Sequence, residues 1–215
     1  MSNILLLGPP AAGKGTQAKK LSSWYHWPHI STVDIFRQAY QQQTALGVEA
    51  HDTYWGKGLL VPDEVTNKLA FERLNQDDCL QGFILDGYPR TIGQGLALEQ
   101  YLDASQRALD RVLYFFCPDE ILMTRATSRR TCQSCGEIYG GDSVPQQPGV
   151  CHCSSQLYQR ADDREEVVRE RLLEYQRKTA PLLNFYQTKG IVSPIDASSS
   201  IELVFTAAKG IVEKL

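Results

Sequence analysis

Short apolar runs alternate with stretches of helical periodicity along the chain, and this alternation predicts the fold class. The apolar runs predict β-strands at about 3–7, 28–31, 82–86, 111–116 and 191–195. Helical patterns lie between and after them, at about 14–25, 31–42, 62–75, 119–130, 163–188 and 199–214. Strands that alternate with helices favour an α/β fold, in which helices cover both faces of a parallel sheet.

Two segments fall outside this alternation. Residues 31–61 are helical and rich in glutamine, with no strand pattern, and residues 129–163 are loop-like and rich in glycine and proline. We expect both to be insertions above the carboxyl edge of the sheet, where open α/β sheets bind their ligands. Pro181 is expected to kink the long helix predicted over 163–188.

Composition narrows the possible functions. The 215 residues suffice for one α/β domain with insertions, and a net charge of −3 argues against a general nucleic-acid binder. The start, Met1-Ser2-Asn3, lacks the basic region of a secretory signal, and no apolar stretch approaches the length of a membrane span. We therefore expect a cytoplasmic protein that binds neither nucleic acid nor membrane.

The segment from Gly8 to Thr16, GPPAAGKGT, directly follows the first apolar run. Its Gly-x4-Gly-Lys spacing is typical of a loop that wraps backbone N–H groups around a phosphate chain. Gly13 and Gly15 have no side chain to keep a phosphate from the backbone, and Lys14 can reach the terminal phosphates as a point charge. A glycine-rich turn without a ligand is the alternative. The strand before the loop and the helix after it favour the phosphate loop.

A second candidate site begins where the strand at 82–86 ends. Asp86 can place a carboxylate beside the phosphate loop and hold Mg²⁺, directly or through water, although Asp-Gly is also common in plain turns. Arg90 follows a Gly-Tyr-Pro turn, and its planar guanidinium suits bidentate binding of phosphate. The amide of Gln94, one helical turn further on, can offer a donor and an acceptor to a base edge.

Further arginines cluster towards the carboxyl half. Arg125 and Arg129 have the i, i+4 spacing that places two side chains on one helix face, which suits an anion held between them. A solvated basic helix end is the alternative. Arg160 lies just beyond the cysteine segment, and Arg171 lies in the long predicted helix.

Four cysteines are concentrated within 22 residues, as Cys132-x-x-Cys135 and Cys151-His152-Cys153. The first pair has zinc-knuckle spacing, and the short insertion has no apolar core of its own, so a structural zinc is expected to order it. His152 could replace one thiolate. A disulfide or a site that has lost its metal are the alternatives, and a catalytic zinc is disfavoured because four ligands close the site.

These motifs, in this order, resemble those of the adenylate kinase family, of the kind with a long lid. The matching segments are Gly8 to Gln17, Thr32 to Arg37, Gly58 to Glu64, Gly82 to Gln94, Arg125 to Arg130, Leu157 to Asp163, Val168 to Leu172 and Tyr175 to Leu182. The resemblance implies the P-loop nucleoside-monophosphate kinase fold, with a five-stranded parallel sheet. It further implies a core formed by 1–30, 62–127 and 164–215, an AMP-binding domain at 31–61 and a lid at 128–163.

The resemblance also implies a reaction, the reversible Mg²⁺-dependent transfer of a phosphoryl group from ATP to AMP that gives two ADP, performed by a monomer. The implied ATP site comprises Ala11, Ala12, Gly13, Lys14, Gly15, Thr16, Arg125, Arg129, Ile138, Tyr139 and Ser199. The implied AMP site comprises Thr32, Arg37, Leu59, Leu60, Val61, Gly87, Tyr88, Pro89, Arg90, Gln94, Arg160 and Arg171. The implied catalytic residues are Lys14, Arg90, Arg125, Arg129, Arg160 and Arg171; Asp86 would serve magnesium, and Cys132, Cys135, Cys151 and Cys153 zinc.

Three positions depart from the family pattern. Ala11 and Val33 stand where the family usually has glycine, and Cys151-x-Cys153 is one residue shorter than the usual Cys-x-x-Cys. If position 11 requires a left-handed backbone, alanine there costs roughly 1–2 kcal/mol.

Two competing functions stay open at this point. One is a nucleoside-monophosphate kinase that prefers another base, since Thr32 and Gln94 favour adenine only through the resemblance. The other is a zinc-ribbon module on a P-loop scaffold that binds nucleic acid or protein. The low net charge and the lack of interleaved aromatic residues in the cysteine segment argue against this module.

Overall fold

The computed structural model describes residues 2–141 and 143–215. The strands, in chain order, are β1 (Asn3–Leu7), β2 (His29–Ser31), β3 (Phe83–Asp86), β4 (Arg111–Phe116), β5 (Arg130–Cys132), β6 (Ile138–Tyr139), β7 (Leu157–Tyr158) and β8 (Val192–Asp196). The α-helices are α1 (Lys14–Tyr25), α2 (Thr32–Gln41), α3 (Ala45–Thr53), α4 (Asp63–Leu74), α5 (Ile92–Ala104), α6 (Asp119–Ser128), α7 (Glu165–Glu174), α8 (Pro181–Gln187) and α9 (Ile201–Val212). The predicted strands and most helices are confirmed to within about two residues.

The main sheet is parallel throughout, with the strand order β2-β3-β1-β4-β8. In β1, Ile4 and Leu6 pack on one face, while Leu5 and Leu7 pack on the other. All four side chains are buried because helices cover both faces, which is why this strand reads as an unbroken apolar run. The predicted α/β architecture is confirmed.

The helix predicted over 163–188 is interrupted. After α7, residues Tyr175–Thr179 form a wide turn of π-helix, in which the Ala180 N–H donates to the Tyr175 carbonyl at 2.8 Å, and α8 then begins at Pro181. Proline has no N–H to continue the α-helical ladder, so the chain widens before it. The turn brings the Thr179 hydroxyl onto the Arg90 carbonyl at 2.8 Å.

The segment expected to be loop-like contains a small antiparallel sheet, with the order β6-β5-β7. Its strands are two or three residues long, too short for an alternating pattern to show in the sequence. Among the residues described, none of the helices has the length and apolar character needed to cross a membrane.

Candidate active site

The phosphate loop joins β1 to α1 at the carboxyl edge of the main sheet. Gly13, the N-cap of α1, has a left-handed backbone (φ 86°), a conformation that glycine adopts without strain. The Lys14 ammonium folds back over the loop and donates to the carbonyls of Gly8 and Pro9, each at 2.7 Å. The lysine is therefore held directly above the loop it is predicted to serve.

Burial shifts the pKa of Lys14. Its position deep in the cleft lowers the pKa of the ammonium to about 8, and nearby arginines add to the lowering against the opposing charge of Asp86. A phosphate chain in the loop would favour the charged form.

Ala11 has the left-handed backbone (φ 63°) that its place in the loop was suspected to require. We expect Ala11→Gly to stabilise the protein by roughly 1 kcal/mol, since relief of the left-handed strain exceeds the added chain entropy of glycine. Ala12→Gly is the matched control, because Ala12 is buried and does not have a positive φ, and we expect it to destabilise the protein. Urea unfolding of both variants tests this; equal loss of stability in both would contradict it.

Asp86 ends β3, in register with Leu6 of β1. A Cβ atom on Gly15 would lie 3.3 Å from Asp86 Oδ2, so the carboxylate lies against the first turn of α1. Burial raises the pKa of Asp86, but His29, Lys14 and Arg90 together bring it below its ordinary value. Asp86 is thus an ionised oxygen donor beside the loop, which fits the preference of magnesium for carboxylate oxygen.

His29 was not singled out from the sequence. Its Nε2 lies 3.4 Å from Asp86 Oδ2, on the neighbouring strand β2. Only the pairing of β2 with β3 brings the two together, so no local signal in the sequence predicted the contact.

Two buried aspartates hold the arginines above the loop. Asp163 is fully buried and pairs with Arg129, whose Nε donates to Asp163 Oδ2 at 2.8 Å. Asp162 Oδ2 accepts from Arg37 at 2.8 Å and lies 3.1 Å from Arg171. Neither acid was singled out from the sequence, although an Asp-Asp pair close to Arg160 was a usable signal.

The cationic side chains repel one another. Burial lowers the pKa of Arg90 to about 10, with Arg171 and Arg37 adding to the effect. Burial also lowers the pKa of Arg160 to about 10, helped by Arg37 and Arg129. Polyanionic phosphate between these groups would relieve the repulsion, so the cluster is arranged to bind anions.

Arg125 and Arg129 do not share a helix face, and that prediction is wrong. The α6 helix ends at Ser128, and Arg129 has an extended backbone (φ −59°, ψ 136°) because β5 begins at the next residue. Arg125 instead donates to the carbonyls of Ala197, at 2.6 Å, and of Ser198 and Ser199, at 3.2 and 3.3 Å. It therefore fixes the loop between β8 and α9 at one side of the cleft.

The opposite side of the cleft is built around Thr32 and Gln94. The Thr32 hydroxyl donates to the Gly87 carbonyl at 3.1 Å, and the Gln94 side chain is almost fully buried. The predicted residues Arg37, Leu59, Leu60, Val61, Gly87, Pro89 and Arg90 also line this part of the cleft. Tyr88 differs from them, because its side chain is fully buried and its hydroxyl donates to Asn67 Oδ1 at 2.8 Å.

Trp55 also lines the cleft, although the sequence did not single it out. Its ring centroid lies 5.8 Å from the guanidinium carbon of Arg37. A tryptophan beside a predicted nucleotide pocket offers a flat apolar surface to a base.

The sulfur atoms of Cys132, Cys135, Cys151 and Cys153 all lie within 4.8 Å of one another. The Sγ–Sγ distances are 3.5 Å for Cys132 to Cys153, 3.5 Å for Cys135 to Cys151 and 3.7 Å for Cys135 to Cys153. A tetrahedral zinc with Zn–S bonds of about 2.3 Å separates its sulfur ligands by about 3.8 Å. The cluster therefore has the donor set and the spacing for such a site.

Two side chains adjoin the thiol cluster. His152 lies beside it, with Nδ1 3.5 Å from Cys151 Sγ. Tyr139, predicted to line the ATP base, has its hydroxyl 3.3 Å from Cys151 Sγ and accepts from the His152 backbone N–H at 3.1 Å. The Tyr139 hydroxyl is thus directed to the cysteines, although Tyr139 lines the cleft, as does its neighbour Ile138.

The phosphate loop, Asp86 and the arginines described above border one cleft of about 730 Å³, a volume typical of small-molecule sites. The parallel sheet, the phosphate loop after its first strand and the arginine-bearing insertions over its carboxyl edge define a P-loop kinase with the nucleoside-monophosphate kinase fold.

Comparison with known proteins gives the family. The family model described as adenylate kinase matches residues 6–191. An adenylate kinase of Clostridium kluyveri is 47% identical over 208 residues, which cover 96% of this chain and 95% of its own length. An adenylate kinase of Archaeoglobus fulgidus is 45% identical over 215 residues, which cover 99% of both chains. The chain belongs to the adenylate kinase family.

Proposed function

We propose that this protein transfers the terminal phosphoryl group of ATP to AMP, reversibly and with Mg²⁺, to give two molecules of ADP. The observation that carries the proposal is the convergence of Lys14 and of arginines from distant parts of the chain on one phosphate loop. The family membership does not favour the zinc-ribbon binding module.

The cleft divides into two nucleotide sites in this proposal. ATP takes the side formed by the phosphate loop (11–16), Arg125, Arg129, Ile138, Tyr139 and Ser199. AMP takes the side formed by Thr32, Arg37, residues 59–61, residues 87–90 and Gln94, and Arg160 and Arg171 reach the transferring group. Tyr88 contributes only its backbone there, since its side chain is directed into the core. The Tyr139 hydroxyl is directed to the cysteines, so the rest of this residue would face ATP.

The proposed mechanism needs no general base. The second pKa of a phosphate ester is about 6, so the AMP phosphate is already a nucleophilic dianion at neutral pH. The protein aligns the two phosphates and stabilises the charge of the transition state with Lys14 and the arginines. Magnesium bound with ATP would neutralise charge on the phosphoryl oxygens, with Asp86 holding it through water.

Water must be kept from the transferring group, or ATP would be hydrolysed. We propose that residues 31–61 and 128–163 act as separate AMP-binding and lid domains that close over a core of 1–30, 62–127 and 164–215. The ion pair between Arg37 and Asp162 supports this, because it joins the two insertions directly. One chain supplies every proposed site residue, so we expect a monomer to suffice.

We also propose that the four cysteines hold a structural zinc. Their spacing fits a tetrahedral site, as set out above, and the small sheet around them has only a few apolar residues to hold it together. The metal would fix the shape of the lid.

A coupled assay tests the proposed reaction and its substrate. The protein is mixed with ATP, Mg²⁺ and each of AMP, CMP, UMP and GMP in turn, and ADP formation is followed. We expect AMP to be used fastest. A pyrimidine nucleotide used faster than AMP would show that the enzyme has another base preference.

The lowered pKa of Lys14 predicts how ATP binding depends on pH. The free enzyme loses the Lys14 proton above about pH 8, whereas bound phosphate favours the protonated form. Binding above pH 8 must therefore take up a proton, and the affinity for ATP falls as pH rises, by up to roughly tenfold per pH unit. Calorimetry at pH 8.5 in buffers of different ionisation enthalpy measures this uptake; no uptake, with affinity constant from pH 7 to 9.5, would contradict it.

A further inference from the structure

The amide of Gln94 is held at both of its ends. Its Oε1 accepts from the backbone N–H of Arg90 at 2.7 Å, and its Nε2 donates to Asp63 Oδ1 at 2.8 Å. A backbone N–H can only donate, and an ionised carboxylate can only accept. The alternative orientation, with oxygen and nitrogen exchanged, would set donor against donor and acceptor against acceptor. The orientation of the amide is therefore determined.

Asp63 is itself positioned. Its second oxygen, Oδ2, accepts from the Thr91 hydroxyl at 2.7 Å, and the same hydroxyl accepts from the Gln94 backbone N–H at 3.0 Å. A Cβ atom on Gly93 would lie 3.0 Å from Oδ2, so glycine at 93 leaves room for the carboxylate. The first residue of α4 is thereby fixed to the first turn of α5.

The held amide keeps bonding capacity for a ligand. A primary amide has two N–H donors and two acceptor lone pairs, and within the described part of the chain Gln94 uses one of each. Gln94 is 1% exposed and lines the cleft, in the part proposed to bind AMP. It can therefore present a lone pair on Oε1 and an N–H on Nε2 to a base. The contacts with Arg90 and Asp63 keep these two atoms from exchanging places.

That order discriminates between bases. Adenine presents an amino donor at C6 beside an acceptor at N1, which matches a lone pair on Oε1 and an N–H on Nε2. A 6-keto purine presents an acceptor at C6 beside an N1–H donor, the reverse pattern. A free glutamine would rotate to match either edge, but the amide held by the Arg90 N–H and by Asp63 matches only the amino edge.

We propose that Asp63 is a positioning residue that sets the base preference of the acceptor site, by holding the Gln94 amide in the orientation that accepts a 6-amino edge and rejects a 6-keto edge. This inference rests on the proposed function, since it assigns the Gln94 side of the cleft to the acceptor base. Asp63 itself does not touch the base.

IMP is the sharpest probe, because its base differs from that of AMP only in this hydrogen-bonding edge. The measured quantity is the ratio of kcat/KM for AMP to kcat/KM for IMP, with ATP and Mg²⁺ as co-substrates. Because both values come from one preparation, the ratio does not depend on the fraction of a variant that folds. We expect the original protein to prefer AMP by on the order of tenfold or more.

Three variants separate the proposed role from a structural one. Asp63→Ala removes the acceptor and is expected to lower the AMP/IMP ratio by on the order of tenfold. Asp63→Asn keeps an oxygen that can accept from Gln94 Nε2, so we expect it to retain most of the ratio. Glu64→Ala is the matched control; Glu64 is an exposed acid in the same first turn of α4, and its loss should leave the ratio unchanged.

An unchanged ratio in Asp63→Ala would overturn the inference, and so would an equal fall in Asp63→Ala and Glu64→Ala. A ratio in Asp63→Asn as low as in Asp63→Ala would also overturn it, because the acceptor oxygen would then not be the cause. In each of these cases, the proposed function is retained if the unsubstituted protein still converts ATP and AMP to ADP. Failure of that conversion would count against the proposed function instead.

Discussion

Arg90→Ala is expected to lower kcat by roughly 10³-fold or more, with little change in the unfolding temperature. The guanidinium is buried in the cleft, faces Arg171 and Arg37, and is directed by a hydrogen bond from its Nε to the Gly87 carbonyl at 2.8 Å. Its loss removes charge stabilisation from the transferring group but also relieves repulsion between the arginines, so the fold should survive. Steady-state rates and thermal melts of the same samples measure both effects.

Two further variants sharpen that test. Arg90→Lys keeps the charge but not the planar two-donor geometry, and we expect it to recover only part of the rate. Arg169→Ala is the control, since Arg169 lies on α7 with its side chain 66% exposed and pairs with Glu165 outside the cleft. A near-normal rate in Arg90→Ala, or an equal loss in Arg169→Ala, would refute the role given to Arg90.

Removal of the proposed zinc is expected to lower the stability of the protein more than any of the substitutions described above. We expect the purified protein to contain about one zinc ion per chain, and chelation or Cys132→Ser to lower the unfolding temperature by on the order of 10 °C. The small sheet β6-β5-β7 should also become sensitive to protease, because apolar contacts within it are few. Metal analysis, calorimetry and limited proteolysis measure the three outcomes.

Cys117→Ser is the control for this prediction. Cys117 follows β4, is not one of the four clustered cysteines, and packs against the main core. Its substitution should leave the zinc content and protease resistance of 130–158 unchanged. A metal-free protein with an unchanged melting temperature and a protease-resistant lid would show that no metal is needed there.

The parts of the fold that the sequence predicted well depend on neighbours in the chain. The strand β1 is covered on both faces, so its buried residues form one continuous apolar run. The phosphate loop is a contiguous motif between a strand and a helix. The Ser31 hydroxyl accepts from the Asp34 N–H at 3.2 Å, so α2 is capped by residues only three positions apart.

The parts that were wrong or missed depend on partners distant in the chain. Arg129 leaves the predicted helix because β5 starts at the next residue and because buried Asp163 binds its guanidinium. In the sequence, Asp63 is only an acid near the start of the helix predicted over 62–75, where a negative charge suits the helix dipole. Only the packing of α4 against α5 brings its carboxylate to Gln94 and Thr91.

Other site residues illustrate the same limit. Tyr88 lies inside a motif that predicts nucleotide contact, but its side chain turns into the core, where Asn67 accepts its hydrogen bond. In the sequence, Trp55 is one of several aromatic residues in a segment predicted to be helical. Its position in the cleft depends on how residues 31–61 fold. Sequence patterns predicted which segments form the site, whereas side-chain direction required the structure.

The central claim is that Lys14 and the arginines gather over the phosphate loop to bring two nucleotides end to end. A crystal structure with two adenosines joined by an oligophosphate chain tests it most directly. We predict an oligophosphate lying across residues 8–16, within hydrogen-bonding distance of Arg90, Arg129 and Arg171, with one adenosine on each side. A cleft without the compound, with those guanidinium groups turned apart into solvent, would contradict the account.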